Sequence, residues 1–185
     1  MRWPHLIPRP WKKSLPASSH HDAEPALHTP DTPEPAPHLA LGRRGELLAA
    51  QHLQQNGYRL VASNFKINVG RNRRGALLQA EIDLVAYDAQ TLCFVEVKTR
   101  ASDWYASPEA NVDLRKQRQI TRAAHAYRRA FNLLDTPYRY DVLAIVLPAP
   151  DPSTGHSPPP RLQLLKNFWT DDKFRHLRHP DTVWD

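Results

Sequence analysis

A chain of 185 residues with 41% apolar side chains has room for one domain and a long flanking segment. Its single cysteine, Cys93, excludes an internal disulfide framework, and no stretch approaches the ~20 apolar residues of a membrane span, so a cytoplasmic protein without a membrane partner is expected. The net charge of +6 lies entirely in residues 41–147, with 16 basic and 10 acidic side chains, which points to a polyanion such as nucleic acid rather than to evenly solvated surface charge.

Residues 1–38 hold half of the 18 prolines among Ser, His, Ala and Thr, and read as a disordered extension with no packable face. A domain over 39–170 and a tail over 171–185 follow. Leu41 to Asn56 predicts a helix stopped by Gly57. Tyr58 to Phe65 predicts a strand, and Lys66 to Gly75 a basic loop holding Arg71, Arg73 and Arg74. A strand pair over Gln79 to Arg100 comes next, with Tyr87 to Gln90 as its turn. Ser102 to Ser107 predicts a loop, and Ser107-Pro108-Glu109 a helix start. A long helix is expected over Val112 to Leu134, with Ile120, Ala124, Tyr127, Phe131 and Leu134 as its apolar stripe. Its other faces carry Arg115, Lys116, Arg118, Arg122, Arg128 and Arg129. Tyr138 to Leu147 predicts a strand with Asp141 inside it, 148–160 a proline-rich loop, and Arg161 to Lys166 a last strand before a short helix. The order α-β-β-β-α-β-β specifies an α/β (α+β) fold: a mixed β-sheet with a helix on each face.

The hairpin over Gln79 to Arg100 carries acids where apolar residues are expected. Ile82, Leu84 and Val85 on one strand, and Phe94, Val95 and Val97 on the other, are strong β-formers of the kind buried on both faces. Alternation puts Glu81 with Asp83, and Glu96 with Lys98. A turn near residue 89 sets Asp83 roughly opposite Glu96, at about 5 Å between Cβ atoms. Two carboxylates that close repel unless a cation lies between them. Mg²⁺ or Mn²⁺ suits such oxygen ligands; a structural ion pair with Lys98 is the plainer alternative. No Ser-His-Asp arrangement, Cys/His zinc spacing or glycine-rich phosphate loop competes.

These residues carry a resemblance. Glu96-Val97-Lys98 with the preceding Asp83 resembles the PD-(D/E)xK motif of restriction-endonuclease-like nucleases. The string Gly42-Arg43-Arg44-Gly45-Glu46, Gly57-Tyr58, Asn64, Glu81-Ile82-Asp83-Leu84, Phe94 to Arg100, Lys116 and Ala123-Ala124 is similar to the YraN-like family of that fold, over roughly 41–147. Two departures stand out: Ala80 replaces the usual Gly, and a basic insert lengthens the link around 68–79. The resemblance implies a restriction-endonuclease-like core and a metal-dependent, nuclease-like protein, with Holliday-junction resolvases among its relatives.

The roles then expected are these. Asp83 and Glu96 ligate the metal, with the Val97 carbonyl as a third ligand and Glu46 reaching in from the first helix; the alternative for Glu46 is a solvated helix position. Lys98 orients the attacking water or stabilises charge on the phosphate. Arg115, Lys116, Arg118 and Arg122 contact nucleic-acid phosphates together with Arg71, Arg73 and Arg74. Glu81 and Arg100 are candidates at the edge of the site. Asp141 is expected as a buried hydrogen-bond partner, Cys93 as a core residue, and His52 and His125 as ordinary helix residues. The expected partner is nucleic acid, DNA before RNA, and a branched substrate would favour a homodimer. The rival readings are a non-catalytic nucleic-acid-binding module and a protein adaptor using the proline-rich extension.

Overall fold

The computed structural model describes residues 36–101, 112–151 and 153–175. The proline-rich segment before residue 36, the loop and helix start expected within 102–109, and the tail after residue 175 lie outside the described residues.

Helix α1 spans Pro37–Gln55 and strands β1, β2 and β3 span Arg59–Arg71, Leu77–Asp88 and Thr91–Arg100. Helix α2 spans Leu114–Ala130, β4 Tyr138–Val146, β5 Arg161–Trp169, and the short α3 Asp172–Arg175. The expected element order stands, and α1 opens four residues early, on a proline whose missing N–H costs nothing at a helix start. The five strands form one sheet in the order β1-β2-β3-β4-β5. All neighbours are antiparallel except β3 and β4, which run parallel because α2 crosses over between them.

Alternation assigns the two sheet faces. Leu84, Ala86, Cys93, Val95, Leu143 and Ile145 pack against Ala49, Leu53 and Tyr58 on the α1 side. Val85, Leu92, Phe94, Tyr140 and Val142 pack against Ile120, Ala123, Ala124 and Tyr127 on the α2 side. Tyr127 meets Phe65 of β1 at 5.1 Å and Phe94 of β3 at 5.7 Å, both edge to face, so one side chain ties α2 across three strands. Cys93 is a core residue, and burial pushes its thiol up to about 12. Asp141 is fully buried and accepts from Arg139 Nε and from the Asn167 backbone N–H, as a hydrogen-bond partner rather than a ligand.

Three expectations are corrected. The segment 66–75 is not a loop: β1 continues to Arg71, and only Asn72–Ala76 turn before β2 begins. The long helix ends at Ala130 rather than 134, which leaves Leu134 about half exposed. The last strand runs to Trp169 rather than 166. Just beyond it, Asp171 accepts from Tyr138 and Tyr140 hydroxyls at 2.6 and 2.7 Å and pairs with His125 at 2.6 Å. Those three partners outweigh burial and hold the Asp171 carboxyl far below the usual carboxylate range. His125 is therefore not the ordinary helix residue expected: it pins α2 to the end of the sheet.

Candidate active site

The site forms where β2 and β3 part. Their ladder runs from Asp88↔Thr91 to Leu84↔Val95 and stops there. The next backbone donor on β3, the Val97 N–H, is taken instead by Asp83 Oδ2 at 2.8 Å. A side-chain carboxylate thus substitutes for the missing strand carbonyl and is held at the mouth of the fork. On its other side the β1–β2 register steps from Ser63↔Leu84 to Phe65↔Ile82, passing over Asn64 and Asp83. Asn64 adopts a left-handed φ of 51°, which Asn tolerates better than most residues.

Glu96 continues the alternation of Leu92 and Phe94 onto the α2 face, so a carboxylate enters the core layer with a side-chain exposure of 1%. Burial without partners would be prohibitive, and two lysines answer it. Lys98 Nζ lies 2.8 Å from Glu96 Oε1. Lys116 Nζ, from the first turn of α2, lies 3.1 Å from Glu96 Oε2 and 3.8 Å from Asp83 Oδ1. The Asp113 side chain caps α2 by accepting from the Lys116 N–H, which fixes where that side chain leaves the helix.

The electrostatics are strained. Burial first, and then repulsion from Glu96, push the Asp83 carboxyl up to about 7, against the pull of Lys116 and the Val97 N–H. Burial works against the charge of Lys116, yet Asp83 and Glu96 overcome it and raise the ammonium above its ordinary value. Glu96 Oε2 is buried without an aligned hydrogen-bond donor, its Lys116 contact being an ion pair out of hydrogen-bond geometry. A buried carboxylate oxygen with unused lone pairs, beside a second carboxylate that resists ionisation, fits a divalent oxygen-seeking cation.

The structure therefore brings together Asp83, Glu96, Lys98 and Lys116. Val97 contributes its N–H to Asp83 and its side chain to the α1-side core. Glu46 does not join the carboxylates: its Oε2 accepts at 2.9 Å from Nδ2 of Asn64, the residue that faces Asp83 across the ladder. Among the described residues no three His, Cys, Asp or Glu side chains gather as a metal-holding group. Glu81 pairs with Lys66 at 3.7 Å on the outer face. Arg100 closes β3, its carbonyl accepting from the Leu147 N–H. Of the helix cations, Arg115 is exposed, Arg118 lies over the Phe174 ring, and Arg122 donates to the Val69 carbonyl at 3.1 Å. Arg71, Arg73 and Arg74 sit at the far end of the β1–β2 arm. Sequence reasoning placed Lys116 at a phosphate and missed its tie to the carboxylates. The signal was present: Lys116 precedes Ile120, Ala124 and Tyr127 by whole helical steps and so extends the apolar stripe by one turn.

A five-stranded mixed sheet flanked by helices, with one parallel pair at its centre and acids at the fork, is the architecture of a restriction-endonuclease-like core. The chain belongs to the uncharacterised protein family UPF0102, the YraN family, whose family model matches residues 45–145. It is 43% identical to the UPF0102 protein of Chlorobium limicola over 115 residues, covering 62% of this chain and 81% of that one. The UPF0102 protein of Geobacter sulfurreducens is 43% identical over 111 residues, 60% of this chain and 79% of its own. That of Herpetosiphon aurantiacus is 39% identical over 121 residues, 63% and 90% respectively. Among the described residues no helix is long and apolar enough to cross a membrane.

Proposed function

We propose that this protein is a nuclease that hydrolyses phosphodiester bonds in nucleic acid, DNA before RNA, with bound Mg²⁺ or Mn²⁺. The observation that carries the reading is the closeness of Asp83 to a buried Glu96 whose Oε2 meets the Lys116 ammonium only as an ion pair, with Lys98 beside them. Asp83, Glu96 and the Val97 carbonyl would hold the cation, which when bound lowers the pKa of a coordinated water and offsets charge on the phosphate. Lys98 anchors Glu96 from the rim and presents its remaining N–H donors to the phosphate oxygens. Lys116, which now neutralises both carboxylates, would be left by a bound cation to offset the substrate's negative charge instead.

A second reading has its own support. Two ammonium groups already face two carboxylates, so the cluster balances itself and would serve a nucleic-acid-binding protein without catalysis. A panel of labelled single-stranded, duplex and branched DNAs, incubated with Mg²⁺, Mn²⁺ or EDTA, separates the two. Cleavage that requires the metal and disappears in Glu96→Gln and Lys98→Gln is expected. Undiminished cleavage by the Glu96→Gln chain would falsify the assignment.

A further inference from the structure

Beyond the fork, β1 and β2 continue as a two-stranded arm. Residues 77–82 of β2 have no β3 partner and pair only with β1. The arm is two-faced. Phe65, Ile67, Val69, Ala80 and Ile82 pack toward α2, and Arg122 grips the Val69 carbonyl, so its base is braced. Its other face is polar, with Lys66 opposite Glu81 and Asn68 opposite Gln79. The tip is basic and ordered. Asn72 Oδ1 accepts from the Arg74 and Ala76 N–H groups, Gly75 supplies the left-handed φ of 79°, and Arg71 Nη1 donates to the Gly75 carbonyl. Residues 66–79 hold four cations, Lys66, Arg71, Arg73 and Arg74, and no acid.

An edge hairpin could serve self-association by strand addition. Here the outer strand carries irregularities at Leu60/Ala62 and Asn68/Gly70 and exposed Lys66 and Arg71, features that blunt an edge against another strand. A two-stranded ribbon with a cationic tip instead suits a duplex groove, which admits such a ribbon. The reach is definite. Leu77 lies six residue steps from Asp83, roughly 20 Å at about 3.3 Å per step. At 3.4 Å per base pair that is about six base pairs of duplex.

We infer that the β1–β2 arm is a duplex clamp: it lies along double-stranded nucleic acid and sets Arg73 and Arg74 on phosphates about six base pairs to one side of the bond at Asp83 and Glu96. This rests on the nuclease reading and names its substrate class as one with a duplex flank of that length. The ordered turn fixes the backbone beforehand, so only the arginine side chains are left to order at binding.

The test is binding in Ca²⁺, to avoid turnover, of a DNA series whose flank on one side grows from two to twelve base pairs. Affinity should rise with flank length and level off near six. In Arg73→Ser/Arg74→Ser that rise should vanish, and the slope of log affinity against log salt should fall by about 1.8, at 0.9 for each phosphate no longer neutralised. Arg73→Lys/Arg74→Lys should keep the slope, and matching melting curves check that the turn is intact. Equal flank dependence and slope in wild type and the serine chain would overturn the clamp while leaving the nuclease reading in place. So would single strands bound as tightly as duplex and weakened as much by the serine changes. If wild type bound no nucleic acid in any form, the nuclease reading itself would fall, and the clamp with it.

Discussion

Asp83→Asn should stabilise the metal-free protein at alkaline pH. Asparagine keeps an oxygen to accept from the Val97 N–H, removes the charge, and puts an NH2 group where Oδ1 faces Lys116. The Asp83 carboxyl is raised from 3.8 to about 7, so the folded state holds a proton that the unfolded state gives up earlier. A raised value means the protonated carboxyl's contribution is complete below pH 3.8 and is lost as pH climbs through 7. About three units at 1.36 kcal/mol each give an upper value near 4 kcal/mol for ionising Asp83 in the fold. Allowing for the amide's own burial, a gain of about 2–4 kcal/mol is expected, or roughly 5–15 °C in Tm for a domain of this size. Thermal and urea melts of both chains in EDTA should coincide near pH 4, diverge between pH 4 and 7, and stay apart at pH 8.5. Adding Mg²⁺ should raise only wild type and close the gap, since a ligand that binds the native state stabilises it. If the variant melts at or below wild type at pH 8.5, Lys98 and Lys116 fully compensate the acids, and the cluster is a structural ion-pair network.

Lys116→Met should tighten Mn²⁺ binding by about tenfold or more, near 1.4 kcal/mol, because it removes a cation lying 3.1 and 3.8 Å from the Glu96 and Asp83 carboxylates; isothermal titration giving a weaker site would show that Lys116 supports metal binding instead. Gly45→Ala should cost about 1–3 kcal/mol, since its added methyl would collide with Thr99 Oγ1. Thr99→Ala removes two of the three closest atoms, so urea melts should show the two changes to be strongly non-additive. Deleting residues 1–35 should leave the melting temperature within a degree or two, as their composition predicts; a fall of many degrees would place Trp3 or Trp11 in the core.

The fold was legible because its signals are local. β-Branched runs marked β2, β3 and β4, and the spacing of Ile120, Ala124 and Tyr127 marked α2 and the face it buries. The meeting of Asp83 with Glu96 followed from the short turn and the register it sets, whereas alternation fails at Asp83: Ile82 and Leu84 lie on opposite faces, so Glu81 does not share the face of Asp83 as expected. What escaped depends on contacts between distant segments. Lys66 to Gly75 looked like a loop because Arg, Asn and Gly are poor strand formers. In the fold β2 and α2 brace the segment, and tertiary packing overrides propensity there. Lys116 looked like a surface cation because lysine is rarely buried; its place on the α2 stripe was legible, but its partners, Glu96 and Asp83, come from distant strands. The tie between Asp171 and His125 joins residues 46 apart and leaves no periodic trace.

The Asp83 carboxylate has a second duty that bears on how any inactive variant is judged. It pairs a β3 donor at the point where the sheet runs out of strand. Truncation to alanine would leave the Val97 N–H without that acceptor, at about 1–3 kcal/mol, in the segment that aims Glu96 and Lys98. An alanine scan here therefore reports two losses as one. Asparagine keeps the pairing and drops the charge, whereas serine is too short to span the fork. The difference between those two variants, measured on both melting and turnover, separates architecture from chemistry at a residue where a single oxygen atom belongs to the sheet and its neighbour faces the lysine.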